Sequence, residues 1–245
     1  MVGSQAVQTI GHSGKWANPV DRLTVPPLPK EAINTNTEGR RTTGPVRGFG
    51  SLWRRTYAIR LVDSAMTPAE VVRVWKERFG SFWPPAGRFY GADKPIEAGD
   101  VALLNLAGPA GVIIATGILV IYADDESFSF ISAEGHMFGG MITFSARDDG
   151  GTTLAQVQAL LRASDPLFEI TVRLGIATKP EDQFWQGALQ NLAAYFGVEG
   201  QPVSRQAILL DSSLQWARAK NLWYNAAIRN TLHMPVRWLR GHGAR

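Results

Sequence analysis

Residues 148–166 read Asp148-Asp149-Gly150-Gly151-Thr152-Thr153-Leu154-Ala155-Gln156-Val157-Gln158-Ala159-Leu160-Leu161-Arg162-Ala163-Ser164-Asp165-Pro166. How the middle of this stretch is read decides the fold. At helical spacing, Leu154, Val157 and Leu160/Leu161 form a stripe. At a period of two, Ala155, Val157, Ala159 and Leu161 share one face, with Gln156, Gln158 and Arg162 on the other. The preceding Asp-Asp-Gly-Gly is a hairpin-turn sequence, which tips the reading to a strand. Asp165-Pro166 then opens a helix, with Asp as N-cap and Pro at the first helical position.

Upstream the pattern stays β. Val101–Leu106, Val112–Tyr122, Phe128–Ala133 and Met141–Ala146 are short apolar runs, and Asp124-Asp125-Glu126-Ser127 reads as another turn. Both acidic clusters fit turn chemistry, and neither has metal-ligand spacing. Arg54–Val62 alternates, with Tyr57, Ile59 and Leu61 on one face, and is the first strand. Thr67-Pro68-Ala69-Glu70 has the form of a capping box and predicts a helix to about Gly80, stopped by Trp83-Pro84-Pro85. Downstream, Leu167, Ile170 and Leu174 form one stripe. Thr178-Lys179-Pro180-Glu181-Asp182 looks like a second start, and Phe184, Ala188, Leu192 and Tyr195/Phe196 carry the stripe on to Gly197. The helix is therefore either kinked or restarted. Helix-period signals return in Ser204–Leu232, and the order overall is α+β.

Three segments follow: an extended Pro/Gly-rich arm (1–47), a folded domain (48–198) and a basic helical C-terminal arm (199–245). Residues 1–57 carry 8 Lys/Arg against 3 Asp/Glu, residues 58–201 carry 10 against 17, and residues 202–245 carry 7 against 1. Basic arms flanking an acidic body predict docking on the body or on a second copy, the second of which would give a homo-oligomer. The tryptophans Trp216, Trp223 and Trp238 among Arg218, Lys220, Arg229, Arg237 and Arg240 also suit an anionic membrane surface, with nucleic acid the least favoured partner. With Cys 0, disulfides, thiolate nucleophiles and Cys-type zinc sites are excluded. No apolar run approaches the ~18 residues of a spanning helix, and Met1–Gly14 has neither a basic start nor an apolar stretch. A cytoplasmic protein without cofactor or metal is the expectation.

The phrases Gly48-Phe49-Gly50-Ser51-Leu52-Trp53, Phe79-Gly80-Ser81-Phe82-Trp83-Pro84, Glu134-Gly135-His136-Met137-Phe138-Gly139-Gly140, Ile142-Thr143-Phe144-Ser145, Ala163-Ser164-Asp165-Pro166 and Phe184-Trp185 carry a resemblance. Over about Gly48–Gly197 the chain resembles an uncharacterised bacterial branch of the START-like, polyketide-cyclase-like (SRPBCC) superfamily. That resemblance implies a helix-grip fold, a curved antiparallel sheet wrapped around a long C-terminal helix. It also implies a hydrophobic ligand, a small molecule or lipid, between the two. The superfamily has no single catalytic motif, so a cavity is implied and a reaction is not.

The ligand-binding candidates are Phe79, Arg88, Phe128, Phe130, His136, Phe144 and Phe184. The aromatics either line a cavity or fill a core. Arg88, in a loop before Phe89-Tyr90, either pairs with a ligand anion or lies in solvent. His136 sits two residues after Glu134 at a strand start, where both would share a face. The pair would then serve a cyclase- or hydratase-type enzyme as acid and base. The third reading is a structural, oligomerising protein with a solid core. The sequence lacks Gly-x-Ser-x-Gly, a phosphate loop, a dinucleotide fingerprint and a His-Glu-x-x-His helix.

Overall fold

The computed structural model describes residues 15–108 and 112–232. Its strands are β1 (Thr42–Thr43), β2 (Leu52–Arg60), β3 (Gly87–Tyr90), β4 (Val101–Ala107), β5 (Ile113–Ala123), β6 (Ser127–Ala133), β7 (Phe138–Asp148), β8 (Thr153–Ala163) and β9 (Ser204–Asp211). The helices are α1 (Pro68–Arg78), α2 (Pro166–Arg173) and α3 (Thr178–Tyr195), and residues 226–232 are also helical. All nine strands belong to one antiparallel sheet of order β3-β4-β5-β6-β7-β8-β2-β9, with β1 paired to the end of β6. The sheet curves around α3, whose Leu189, Leu192 and Ala193 are buried against it. This is the helix-grip architecture. Among the described residues no helix is long and apolar enough to cross a membrane.

The stretch that decides the fold is a strand. β8 pairs with β7 from Phe138↔Ala163 to Asp148↔Thr153, and its other edge pairs with β2. Ala155, Val157, Ala159 and Leu161 are buried on the face the alternation assigns. The turn before it closes with Asp149 N–H donating to the Thr152 carbonyl at 2.9 Å, and Gly150 and Gly151 take φ of +69° and +84°. A side chain would strain both positions. The capping box also forms: Glu70 N–H donates to Thr67 Oγ1 at 3.3 Å, and Thr67 N–H donates to Glu70 Oε2 at 2.8 Å. Asp165 caps α2, accepting from the backbone of Leu167 at 2.9 Å and Phe168 at 3.1 Å. Between α2 and α3 the chain turns through Gly175 at φ +73°, so the helix restarts at Thr178.

Three local expectations are corrected. Ser204–Asp211 is the edge strand β9 and not helix. The backbone groups of β2 along Leu52–Ala58 need a partner, and pairing outweighs a weak helical period. Gly87–Tyr90, read as a loop, is β3, and its pairing with β4 puts the Arg88 side chain on the exposed face. Glu134 and His136 lie in the turn before β7, which starts only at Phe138, so the strand-face relation between them is absent.

The described parts of both arms fold back on the body, through the pairing of β1 and β9 and through side-chain amide groups. Asn36 Nδ2 donates to the Ala115 carbonyl at 2.8 Å and to Asn230 Oδ1 at 2.7 Å. Asn225 Nδ2 donates to Asp165 at 2.8 Å, and Asn221 Nδ2 donates to the Ser164 carbonyl at 2.8 Å. Opposite charges contribute at Lys15–Asp124, Arg40–Glu134 and Arg205–Asp182. Met1–Gly14 and the basic residues Arg237 and Arg240 with Trp238 lie outside the described residues.

Candidate functional site

The concave face of the sheet is mainly apolar, with Arg55 and Ser132 as exceptions, and its two halves are covered differently. Over one half α1 lays Trp75 against Phe128 and Phe144, with ring centroids 6.0 and 5.4 Å away. Phe128 and Phe144 stack at 4.8 Å, and Phe79 meets Phe144 at 4.9 Å. These rings, with Val157, Leu189 and Leu192, form a filled core.

Over the other half lies a cavity of about 870 Å³. Its floor is the continuation of the same strands: Phe130 and Ser132 on β6, Phe138, Gly140 and Ile142 on β7, Ala159 and Leu161 on β8. Its roof is α2 and the start of α3, with Phe168, Thr171, Glu181, Phe184 and Trp185. Residues 227–232 of the C-terminal arm complete the wall through Ala227, Ile228, Thr231 and Leu232. Leu167, Ile176, Ile228 and Leu232 both line the cavity and are exposed, which marks its mouth.

The sequence candidates divide between these halves. Phe130, His136 and Phe184 line the cavity. Phe128 and Phe144 belong to the filled core, and Phe79 joins them while also flanking a second cleft of about 660 Å³ beside α1 and β3. Arg88 lines neither.

His136 is half-buried, and its Nδ1 lies 3.0 Å from the Phe138 N–H. The same Nδ1 lies 3.1 Å from the Phe138 carbonyl oxygen, and burial pushes the His136 pKa down to about 4 against that contact. Glu134 instead approaches Arg40 at 3.9 Å and does not line the cavity. The proposed acid–base pair is therefore not assembled. The backbone here is held from outside: Gly135, at φ +95°, accepts from Ala226 N–H at 3.0 Å, and a Cβ on it would lie 2.2 Å from the Tyr224 carbonyl oxygen.

Sequence reasoning missed a buried ionic group in the roof. Glu181, in the first turn of α3, pairs with Arg55 of β2, and their side chains are only 9% and 5% exposed. Next to them Tyr57 Oη donates to Asp182 Oδ1 at 2.7 Å, and Arg205 Nε donates to the same oxygen at 2.8 Å. Burial pushes the Glu181 carboxyl up to about 7 against the pull of Arg55, and it raises the Tyr57 phenol as well. The signal was present. Arg55 shares its strand face with Tyr57 and Ile59, and an arginine directed into a core requires a carboxylate. Glu181-Asp182 was absorbed into the reading of a helix start.

Comparison with protein-family models finds no match, and neither does comparison with curated proteins. Solved structures with a similar fold include protein Ms6760 from Mycobacterium smegmatis, at 15% identity over 58% of this chain and 89% of that one, TM-score 0.40. Ginseng major latex-like protein 151 from Panax ginseng is similar at 13% identity over 60% of this chain and 99% of that one, TM-score 0.43. The di-domain ARO/CYC StfQ from the steffimycin biosynthetic pathway is similar at 8% identity over 60% of this chain and 51% of that one, TM-score 0.46.

Proposed function

We propose that this chain binds a hydrophobic small molecule or lipid in the cavity between the sheet and the α2–α3 roof. The observation that carries the reading is the cavity itself: about 870 Å³, walled mainly by aliphatic and aromatic side chains, with few polar groups. Sites for small apolar ligands have this size and composition. A solid-core structural protein would leave no such volume beside a tightly filled half. A reaction through His136 and Glu134 loses support because the two side chains do not meet.

The test is native mass spectrometry of the full-length protein, followed by organic extraction. A stoichiometric apolar adduct, or stoichiometric loading from a mixed lipid pool, is the expected result. A protein that is bare and resists loading would overturn the reading. Phe130→Arg, at the cavity floor, should abolish uptake, with circular dichroism to establish the fold because Phe130 is itself only 3% exposed and packs on Phe79 and Phe144. Phe144→Arg is uninformative about the cavity, because Phe144 is fully buried in the filled half and a charge there unfolds the domain.

A further inference from the structure

We propose that the cavity selects an apolar alcohol, a molecule presenting a hydroxyl at its buried end, over an apolar carboxylate, with Glu181 Oε1 as the anchor. This inference rests on the binding reading above and names its ligand class. Arg55 Nη1 donates to Glu181 Oε2, while Oε1 has no hydrogen-bond partner among the described residues. Glu181 lines the cavity and Arg55 does not, so an entering molecule meets the acceptor and not the guanidinium behind it. Among the described lining residues there is no lysine or arginine. A ligand carboxylate would therefore be desolvated beside another carboxylate with no cation facing it.

A hydroxyl can donate to Oε1, whereas a carboxylate can only accept. The charged groups packed around Glu181 are Arg55 from β2, Asp182 from α3 and Arg205 from β9, with Tyr57 beside them. With ionised Glu181 counted, two arginines face two carboxylates, so the formal charges cancel and the roof has no net positive charge to attract an acid.

The experiment is displacement of N-phenyl-1-naphthylamine from the full-length protein by 1-dodecanol, dodecanoate or methyl dodecanoate at about pH 8, where Glu181 is ionised. 1-Dodecanol should displace the probe at a concentration at least about tenfold below dodecanoate, and it should also outperform the ester, which has no donor. E181Q removes the negative charge and leaves Arg55 unneutralised, so dodecanoate should overtake the alcohol. The wild-type ranking decides even where E181Q fails to fold. Displacement by all three chains with equal potency, or tighter binding of dodecanoate, overturns this inference while leaving the binding reading standing. Absence of probe uptake, together with no thermal shift from any of the chains, overturns both.

Discussion

The two halves of the concave face stand on the same strands and end in opposite states. On β6 the inward residues run Phe128, Phe130, Ser132. On β7 they run Phe144, Ile142, Gly140, and on β8 Val157, Ala159, Leu161. From the first residue of each series to the last, the sheet passes from packed rings to open volume. Side-chain size on the sheet is only part of the reason. α1 packs on β7 and β8 and lowers Trp75 into the first half, whereas the roof of the second half holds polar and charged atoms at Glu181 and Thr171. An apolar strand face thus becomes core or binding site according to which helix covers it.

The largest expected effect tests the filled half. Trp75→Ala should cost about 3–5 kcal/mol in denaturant unfolding, because close-packed rings leave a cavity that cannot collapse. A loss below ~1 kcal/mol would mean that this half is as loosely packed as the other.

The next effect concerns the buried titratable groups of the open half. The pKa of His136 falls from 6.5 to about 4 on folding, so its contribution to stability is present above pH 6.5 and lost as pH falls towards 4. The pKa of Glu181 rises from 4.5 to about 7, so its contribution is present below pH 4.5 and lost as pH rises through 7. Between these limits the two oppose each other. Relative to the parent protein, His136→Asn should make stability decline on alkalinisation, and Glu181→Gln should make it decline on acidification. Each change in slope is worth on the order of 2–3 kcal/mol across the window. Unfolding midpoints of the three proteins at several pH values measure it, and parallel profiles would show that neither group is desolvated.

The smallest effect on stability sharpens the contrast most. Ala159→Phe adds a ring where the floor is open, so unfolding free energy should shift by less than about 1 kcal/mol while probe uptake disappears. Two residues along the same strand face, Val157→Phe should be destabilising by about 1–3 kcal/mol, because there the added atoms meet a filled core. Equal penalties for the two substitutions would erase the distinction between the halves.

The sequence made the sheet legible because β6–β8 bury their concave face and β5 is buried on both faces, which alternation and apolar runs announce. The capping box and Asp165-Pro166 fixed two helix starts for reasons local to those residues. β3 was not legible, being four residues between prolines and a glycine, and β9 was not because most of its residues are exposed and it carries no face signal. The site was legible only in kind. Phe128, Phe130 and Phe144 all point inward, but which of them meets a ligand depends on where α1 docks, a tertiary fact with no local trace. Arg55 was the readable clue to the polar roof, since charge on an inward strand position demands a partner from elsewhere in the chain.

The place of β2 in the sheet has a consequence for synthesis. Its two neighbours are β8 and β9, so both of its edges pair with strands far downstream in the chain. At a translation rate of about 5–20 residues per second, β2 leaves the ribosome on the order of ten seconds before its first partner exists. During that interval Tyr57, Ile59 and Leu61 have no strand beside them, and the contacts that finally bury them are long-range and slow to form. The nascent chain thus carries β2 unpaired until β8 has been made, and closure of the sheet at this edge is a late step of folding.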